Sequence, residues 1–593
     1  MKQLNCIKKG IILLFVIVFL YAHTVSAETG SSVEMPDIQV SDTGLALLLQ
    51  NRLNELTNSS KTVIRGEYIY SLVLVKSFYN GRNYYPGWSR NRHLVQADKL
   101  INALEDAYGD GLTPDYYHLS IIRSLVDTAE KGISFDQTVL ADLDILLTDA
   151  FLTLSCHLSG GCVDPVTIES EWFAKRRDVD VSSVLEMALR EKQVREALMK
   201  LIPGQGSYGR LKQALAQYRG LAAKGEWPLV SGGPALKKGS VAERVVELRK
   251  RLAASGDMKA GWTNREDFFD KELEQSVVIF QKRHGLKADG VVGTDTLKAL
   301  NIPLKERIRQ MELNMERLRW ILGNVEQRSI VVNIADFRLD VIENSKSVLS
   351  MKVVVGKLFQ RTPVFTAKMT YLILNPFWNV PDSIAQKEIL KKIRKDPQYL
   401  LKENIKVLKG WGPQEHIIDP GTIDWSSINA TNLKYRFRQE PGPLNPLGRI
   451  KFMFPNKFDV YLHDTTAKRL FSEVVRTFSH GCTRIEKPIE LAEYVLRDDP
   501  RWTHDNLLAA IAAGTEQTVR IPSPLNVHFF YLTAWVDGEG VIQFRNDIYE
   551  RDRQLDEALH RKPDFHRQKA MYQPMISIKR SKAISLSKET PTK

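Results

Sequence analysis

The stretch FSHGCTRIEK, residues 478 to 487, contains residue types that could attack a carbonyl group. It includes Cys482, and a second candidate group, His463, stands upstream in VYLHDT. A thiol attacks only as the thiolate, so a nucleophilic cysteine needs a base or a nearby cation. His463 ends a predicted strand, which would fix its position, and it is therefore the candidate base for covalent catalysis.

The neighbours of Cys482 offer the other groups that acyl transfer requires. Backbone N–H groups at Gly481 and Cys482 could stabilise an oxyanion, because glycine allows a substrate to approach closely. Arg484 would place a cation beside a substrate carboxylate. His480 is closer in sequence, but a residue two positions from the cysteine need not point the same way. The alternative is ordinary packing, with an inert buried thiol and hydrogen-bonded structural histidines.

The chain has four cysteines, and their placement bears on the state of Cys482. Cys6 lies in the N-terminal segment. Cys156 and Cys162 enclose HLSGG, a spacing that favours a tight disulfide in an oxidising compartment. The alternative, a zinc site with His157, lacks a second pair of ligands. Pairing of these two cysteines would leave Cys482 as the odd thiol, which in an exported protein calls for a functional reason.

The N-terminal residues predict export. Three lysines precede an apolar run from Ile11 to Ala22, and Val25-Ser26-Ala27 offers small residues for cleavage. This pattern is typical of a signal peptide, here residues 1–27, which is removed near Ala27. An uncleaved membrane anchor is the alternative, although the run is short for a span of roughly 20 residues. We therefore expect a periplasmic protein.

The charge of the chain lies mainly at its two ends. Of the net charge of +13, the predicted signal peptide carries +3 and residues 561 to 593 carry +7. Residues 28 to 560 are left with +3, which is nearly balanced. A basic polar tail is typical of a disordered segment rather than of a nucleic-acid groove. The charge pattern thus argues against nucleic acid as a partner.

Helical spacing of apolar residues predicts the elements of the first half of the chain. Residues 28–235 predict a helical scaffold, and the Gly-rich stretch SGGPALKKGS ends it. Residues 236–303 then predict a compact unit of three helices. A further helix from about 305 to 322 leads into the region that must position the cysteine and the histidine.

Alternating, β-branched segments predict a β-rich domain at residues 326–520. Residues 381–448 interrupt its strands with a helical and loop-rich pattern, which is typical of a lid or a partner surface. Residues 521–593 predict a terminal hairpin and the basic tail. Together these segments predict an α+β multidomain protein, with a helical scaffold, a three-helix unit and a β-rich catalytic domain that carries a helical capping insertion.

The three-helix unit resembles the small peptidoglycan-binding repeat domain. The residues that carry the resemblance are Phe280-Gln281, Gly285-Leu286, Asp289-Gly290-Val291-Val292-Gly293, Thr296 and Leu300. The resemblance implies a domain that binds the cell wall. A three-helix spacer without a ligand is the alternative.

The cysteine region is identified as a member of the L,D-transpeptidase (YkuD) family. His463, fifteen intervening residues and then Ser479-His480-Gly481-Cys482-Thr483-Arg484 match the family signature. The order of segments is similar to that of the large YcbB-type enzymes of Gram-negative bacteria. Thr483 departs from the pattern, since the family usually shows a hydrophobic residue there.

The resemblance implies a role for each matching residue. Cys482 would be the nucleophile, and His463, oriented by a backbone carbonyl rather than by Asp464, would be the base. Gly481 would belong to the oxyanion site. The remaining residues that the resemblance places in substrate binding are Arg484, His480, Ser479, Tyr461 and Trp378; ordinary sheet packing is the alternative for Tyr461 and Trp378.

The resemblance also implies the reaction and its participants. The donor is a peptidoglycan tetrapeptide stem, the acceptor is the diaminopimelate amine of a second stem, and the product is a 3→3 cross-link. Carbapenems are expected inhibitors, cell-wall synthesis proteins are possible partners, and neither a metal nor an organic cofactor is needed. Three alternatives remain open: an L,D-carboxypeptidase, a non-catalytic wall-binding scaffold, and a secreted thiol protease, whose expected motifs are missing.

Overall fold

A computed structural model of the chain describes residues 40–560, apart from 60–61, 92, 131–135, 169–176, 178, 205, 260–264 and 322–327. The predicted signal peptide and basic tail lie outside the described residues. Within them, no helix is both long enough and apolar enough to cross a lipid bilayer. The predicted α+β class is confirmed, with a helical scaffold, a helical peptidoglycan-binding domain and a β-rich domain.

The scaffold is built around one long buried helix. This helix, α5, is buried on nearly all sides, and helices from both sides of it in sequence pack against it. Two short hairpins, β1–β2 and β3–β4, join the outer helices. The elements are α1 (Val40–Asn58), β1 (Val63–Ile64), β2 (Glu67–Tyr68), α2 (Leu72–Gly81), β3 (Ser89–Arg90), β4 (His93–Leu94), α3 (Ala97–Asp106), α4 (Leu119–Glu130), α5 (Gln137–Gly160), α6 (Pro165–Ile168), α7 (Val181–Glu191), α8 (Val194–Leu201) and α9 (Gly206–Ala222).

Three helices form the peptidoglycan-binding domain, namely α10 (Glu243–Ala254), α11 (Lys271–Arg283) and α12 (Thr294–Leu300). The buried Gln281 amide holds the loop before α12. Its nitrogen donates to Asp289 at 3.1 Å and to Thr296 at 3.0 Å, and its oxygen accepts the Gly290 N–H at 2.9 Å. These signature residues therefore stabilise the domain itself, so ligand contacts would have to come from other side chains.

Helix α13 (Leu304–Ile321) joins the scaffold to the β-rich domain and is buried along most of its length. On the scaffold side, Glu316 accepts the Cys162 N–H at 2.5 Å and pairs with Arg319 at 2.7 Å. On the other side, the Asn314 amide exchanges hydrogen bonds with Thr533 at 2.8 and 2.9 Å. Because its buried polar groups are paired in both directions, α13 fixes the two regions to each other.

The β-rich half begins with β5 (Arg328–Asn333), β6 (Arg338–Glu343), β7 (Lys346–Gly356) and β8 (Thr366–Leu374). The next elements are β9 (Trp378–Asn379), α14 (Asp382–Ile384), a π-helical turn (Ala385–Ile389), α15 (Leu390–Lys395), α16 (Tyr399–Lys402), β10 (Ile405–Lys409), β11 (His416–Ile418) and β12 (Arg436–Gln439). The last are β13 (Ile450–Met453), β14 (Leu462–His463), β15 (Thr477–Ser479), β16 (Thr483–Ile485), α17 (Pro488–Leu496), α18 (His504–Ala512), β17 (Gln517–Phe530), β18 (Ala534–Val536), β19 (Ile542–Phe544) and α19 (Arg551–His560).

Nine strands form the main sheet, in the order β15-β7-β16-β14-β13-β8-β17-β5-β6. The sheet closes on itself because the first part of β7 pairs with β6, whereas its last residues pair with β16 and β15. A large apolar core fills one face. The strands that carry His463 and the residue after Cys482 are direct neighbours in this sheet, so the topology brings the two segments together.

The insertion after β8 forms a subdomain with its own core. Helix and loop were expected there, and helices do occupy residues 382–402. The structure adds a four-stranded sheet in the order β11-β10-β12-β9, which the sequence analysis did not predict. These strands are two to five residues long, too short to show an alternating pattern.

The terminal hairpin was also expected to begin earlier. The hairpin and the tail were predicted together at residues 521–593, beyond a domain boundary at 520, but β17 runs across that boundary inside the main sheet. The hairpin proper is β18–β19. The two segments look alike in sequence because both are apolar and β-branched, and only their pairing partners distinguish them.

Candidate active site

The three residues before Thr483 form a loop between β15 and β16. Gly481 has a φ of +115°, a backbone conformation that residues other than glycine rarely adopt. Its carbonyl accepts the Thr362 hydroxyl at 2.9 Å, and its N–H donates to the buried Ser479 hydroxyl at 3.2 Å. The predicted oxyanion donor at Gly481 is thus occupied by Ser479 in this conformation.

A turn after β7 braces the same loop from outside. The Lys357 N–H donates to the Ser479 carbonyl at 3.0 Å, and the Thr362 hydroxyl accepts the Gly356 N–H at 3.0 Å. Tyr549 donates its hydroxyl to the Gly356 carbonyl at 2.5 Å. Thr362 and Tyr549 were not singled out from the sequence, since they reach the loop only through the folded sheet.

Strand register brings the segments that carry the candidate catalytic groups close to each other. In β14 and β16, which run parallel, His463 lies opposite Arg484 and Leu462 opposite Thr483. Cys482 lies in the loop directly before β16, where it shares a hydrogen bond with the side chain of Tyr461. The centre of the Tyr461 ring is 5.7 Å from that of the His463 ring, so the fold brings the segments that carry Cys482 and His463 together around Tyr461.

The His463 imidazole is buried and held in one tautomer. Its Nδ1 lies 2.5 Å from the Asp464 carbonyl oxygen, which can only accept, so Nδ1 carries the proton and Nε2 is the basic atom. Burial, the Arg484 charge and the Lys451 charge together lower the pKa of His463 to about 3, against the opposing effect of the backbone carbonyls. The imidazole is a neutral base at physiological pH.

The Asp464 carboxylate takes no part in orienting that ring. It accepts the Arg449 N–H at 2.9 Å and pairs with Lys468 at 2.6 Å. Only the main-chain carbonyl of Asp464 faces the imidazole. This is the orientation by a backbone carbonyl that the family resemblance implied.

Cys482 is half-buried and forms no disulfide within the part of the chain that the structure describes. Its thiol lies 3.7 Å from the Asp459 carbonyl, and Tyr461 contributes hydrogen bonds from its main chain and its hydroxyl. Burial raises the pKa of the Cys482 thiol, and the Tyr461 hydrogen bonds and the Lys451 charge oppose that rise. The resting site thus holds a neutral thiol and a neutral imidazole, each next to Tyr461.

His480 and Trp378 connect the loop and the sheet to the capping subdomain. His480 is exposed, and its Nε2 lies 2.8 Å from a Glu388 carboxylate oxygen on the π-helical turn. Trp378 is half-buried, pairs with Gln439 across β9 and β12, and packs against the capping core. The structure thus places Trp378 in subdomain packing and His480 at the contact between subdomain and loop.

Thr483 and Arg484 each bury a polar atom that lacks a hydrogen-bond partner among the described residues. For Thr483 this atom is the hydroxyl, which points into the core where the family usually has an apolar residue. For Arg484 it is Nε, on the face of the sheet that also carries His463; this face, with the loop of Cys482, is called the cleft below. Within the same residues, no group of three or more His, Cys, Asp or Glu side chains is arranged to hold a metal ion.

Lys451 is a cleft residue that the sequence analysis missed. In the antiparallel pair β13–β14 it lies opposite His463, so Lys451, His463 and Arg484 form one row across three strands. Its Nζ lies 3.9 Å from the centre of the Tyr461 ring. The alternation of RIKFMF could have placed Lys451 on the face opposite the core, but not beside His463.

Comparison with known families assigns the three regions. Residues 73–215 match the Scaffold domain, residues 241–300 match the peptidoglycan binding domain, and residues 327–515 match the L,D-transpeptidase catalytic domain. The last match contains both His463 and Cys482 with the strands that position them. The chain contains an L,D-transpeptidase domain.

Two curated proteins resemble parts of the chain. A Haemophilus influenzae protein named as an L,D-transpeptidase is 33% identical over 250 residues, which are 42% of this chain and 49% of that protein. The N-acetylmuramoyl-L-alanine amidase CwlM of Mycobacterium tuberculosis is 36% identical over 80 residues, 12% of this chain and 20% of that protein. The chain thus spans about half or less of the length of the relatives that it matches.

Two solved structures also align with part of this chain. The L,D-transpeptidase of Xylanimonas cellulosilytica is 13% identical, with 51% of this chain and 99% of that chain covered, at a TM-score of 0.16. The L,D-transpeptidase of Stackebrandtia nassauensis is 14% identical, with 51% and 96% covered, at a TM-score of 0.20. Scores this low carry no weight for the fold.

Proposed function

We propose that the protein is a periplasmic peptidoglycan L,D-transpeptidase that forms 3→3 cross-links through a thioester on Cys482. The observation that carries the proposal is the arrangement of the cleft. A half-buried free thiol in the loop before β16 shares a hydrogen bond with Tyr461, whose ring neighbours the neutral His463 imidazole, and all three residues lie inside the L,D-transpeptidase domain match. A thiol with a base in reach is the minimum set for nucleophilic catalysis.

In the first half-reaction, His463 Nε2 takes the thiol proton as Cys482 Sγ attacks the carbonyl between the third and fourth residues of the donor stem. The oxyanion is stabilised by the main-chain N–H of Cys482 and by the Tyr461 hydroxyl, and the Gly481 N–H joins them when it exchanges its bond to Ser479 for one to the oxyanion. The C–N bond then breaks, the leaving D-Ala nitrogen takes the proton from His463, and the thioester remains.

In the second half-reaction, the side-chain amine of an acceptor diaminopimelate attacks the thioester carbon. His463 takes a proton from that amine and returns it to the departing Cys482 sulfur. The product is an amide between two diaminopimelate residues. Ser479, His480 and Arg484 hold the loop and the donor, Trp378 supports the capping subdomain at the edge of the cleft, and the peptidoglycan-binding domain holds the enzyme on its polymer.

Hydrolysis of the same thioester would make the protein an L,D-carboxypeptidase. The capping subdomain favours transfer, because it contacts the loop through Glu388 and His480 and can limit the access of water. The two activities differ in product: dimers for transfer, tripeptides for hydrolysis.

The experiment is incubation with purified tetrapeptide muropeptides, followed by mass spectrometry of the products and of the intact protein. We expect 3→3 dimers, released D-Ala and a transient acyl adduct on Cys482. A carbapenem should add covalently to the same thiol. Cys482→Ala should lose both adducts, and Cys482→Ala that still makes 3→3 dimers would show that another group is the nucleophile.

A further inference from the structure

Lys451 contributes a charge to the cleft that the proposed reaction leaves without a role. It is half-buried, lies opposite His463 in the strand register and sits over the Tyr461 ring. Its charge lowers the pKa of His463 and opposes the rise in the pKa of Cys482, in agreement with its place opposite His463 and over Tyr461. Arg484 supplies a second cation in the same row, on the other side of His463.

Neither cation is neutralised by the protein. Across the residues that the structure describes, no carboxylate forms a salt bridge with Lys451 or with Arg484, and Arg484 Nε is buried without a hydrogen-bond partner. The charges of Asp459 and Glu516 act on Lys451 only from beyond salt-bridge distance. The row therefore carries two positive charges with no anion between them.

An arrangement of this kind is unfavourable for the empty protein. Partly buried cations lose hydration, and a carboxylate in contact normally compensates for that loss. Arg319 on α13, for example, pairs with Glu316 at 2.7 Å. A ligand that carries a carboxylate would provide the missing compensation in the cleft.

We propose that Lys451 and Arg484 form a carboxylate-binding subsite, in which Lys451 selects donor stems whose leaving D-amino acid ends in a free carboxylate. The inference rests on the proposed function. The carboxylate of the leaving residue is attached to the carbon that bears the scissile nitrogen. When the scissile carbonyl reaches Cys482, this carboxylate therefore lies within a few bonds of the sulfur, where both cations are.

Three donor peptides test the subsite. One is the free tetrapeptide acid, the second is amidated at its C-terminal D-Ala, and the third is amidated at the free carboxyl of diaminopimelate. The rate of thioester formation is measured for each by mass spectrometry of the full-length protein. Because a charge-assisted pair is strong, we expect the free acid to acylate about 10- to 100-fold faster than the D-Ala amide.

Variants assign the preference to Lys451. Lys451→Gln should slow the free acid to about the rate of the D-Ala amide, mainly through a higher KM, and leave the amide nearly unchanged. Lys451→Arg should keep most of the preference. Lys457→Gln is the matched control, since it removes the same charge from an exposed lysine six residues along the chain and should leave all three rates unchanged.

Several results would overturn the subsite. If all three donors acylate the wild-type protein at the same rate, the protein recognises neither carboxylate. The proposed function would still stand, because thioesters form. A preference that persists in Lys451→Gln excludes Lys451, and sensitivity to the diaminopimelate amide alone excludes the leaving residue. If no donor forms a thioester at all, the proposed function fails and the subsite fails with it.

Discussion

His118 in the scaffold and His463 in the L,D-transpeptidase domain are both buried, yet at neutral pH the His118 imidazole is protonated and the His463 imidazole is neutral. His118 lies between two carboxylates, with Nε2 at 2.8 Å from Asp149 and Nδ1 at 3.1 Å from Glu67. Burial alone would lower its pKa, but the hydrogen bonds and charges of these acids outweigh burial and raise the pKa of His118 to about 9. For His463, burial and then the charges of Arg484 and Lys451 lower the pKa to about 3.

The difference shows what each region does with buried charge. In the scaffold, the Asp149 carboxylate also accepts the Ser71 hydroxyl and the Tyr70 N–H, so the cluster is complete without a ligand. In the cleft, Lys451 and Arg484 have no carboxylate partner among the described residues. Charges that are paired within the protein stabilise the fold, whereas cations without a carboxylate partner on the proposed catalytic face remain available to a substrate.

Replacing each histidine should separate the two roles most strongly. His463→Gln is expected to slow thioester formation by about 10²- to 10⁴-fold, because it removes the general base while a neutral side chain remains in a neutral site. The measurement is the acylation rate with a tetrapeptide donor, with circular dichroism as the check on folding. Retention of the wild-type rate would exclude His463 as the base.

His118→Gln should give the opposite result. Removing the cation leaves Asp149 and Glu67 without their partner, and breaking a buried pair typically destabilises a protein by about 3–5 kcal/mol. Urea unfolding measures this change, with His93→Gln as a control on an exposed scaffold histidine. The acylation rate of the folded variant should match that of the wild type, and a large loss of rate would show that the scaffold cluster acts on the cleft.

The two histidines should also give stability opposite dependences on pH. The raised pKa of His118 means that its contribution is complete below about pH 6.5 and is lost as the pH rises through about 9, a change of about 3 kcal/mol at most. The lowered pKa of His463 means that the unfolded chain binds the proton first, so stability falls as the pH drops from 6.5 towards 3. Urea unfolding at several pH values, compared with each Gln variant, measures both slopes.

The sequence reveals the reacting pair because chemistry restricts the residue types. Cys482 and His463, the proposed pair, stand in a spacing that the family shares, and local alternation predicts strands next to both. Lys451 shows the limit of such reasoning. Its side chain acts on His463 only because β13 and β14 pair in one register, and no local pattern reports which strands become neighbours.

Long-range polar clusters were equally hidden in the sequence. Glu67, His118 and Asp149 come from three separate elements, and each alone is typical of a solvated surface position. Their burial follows from packing around α5. Periodicity predicts this helix, but it does not predict which segments pack against each of its faces. The same reason explains why the capping strands and the true start of the terminal hairpin were missed.

The smallest expected effect is on stability, and it tests directly whether the protein compensates the charge of Lys451. Lys451→Met removes an uncompensated charge from the cleft, so it should stabilise the folded protein, by about 0.5–1 kcal/mol, as is common when a functional site gives up a strained or unpaired group. Lys457→Met, on an exposed lysine, should change stability by less than about 0.5 kcal/mol. Urea unfolding of both variants at neutral pH measures the difference. A destabilised Lys451→Met would mean that the protein does compensate this cation, and the cleft would then resemble the scaffold cluster after all.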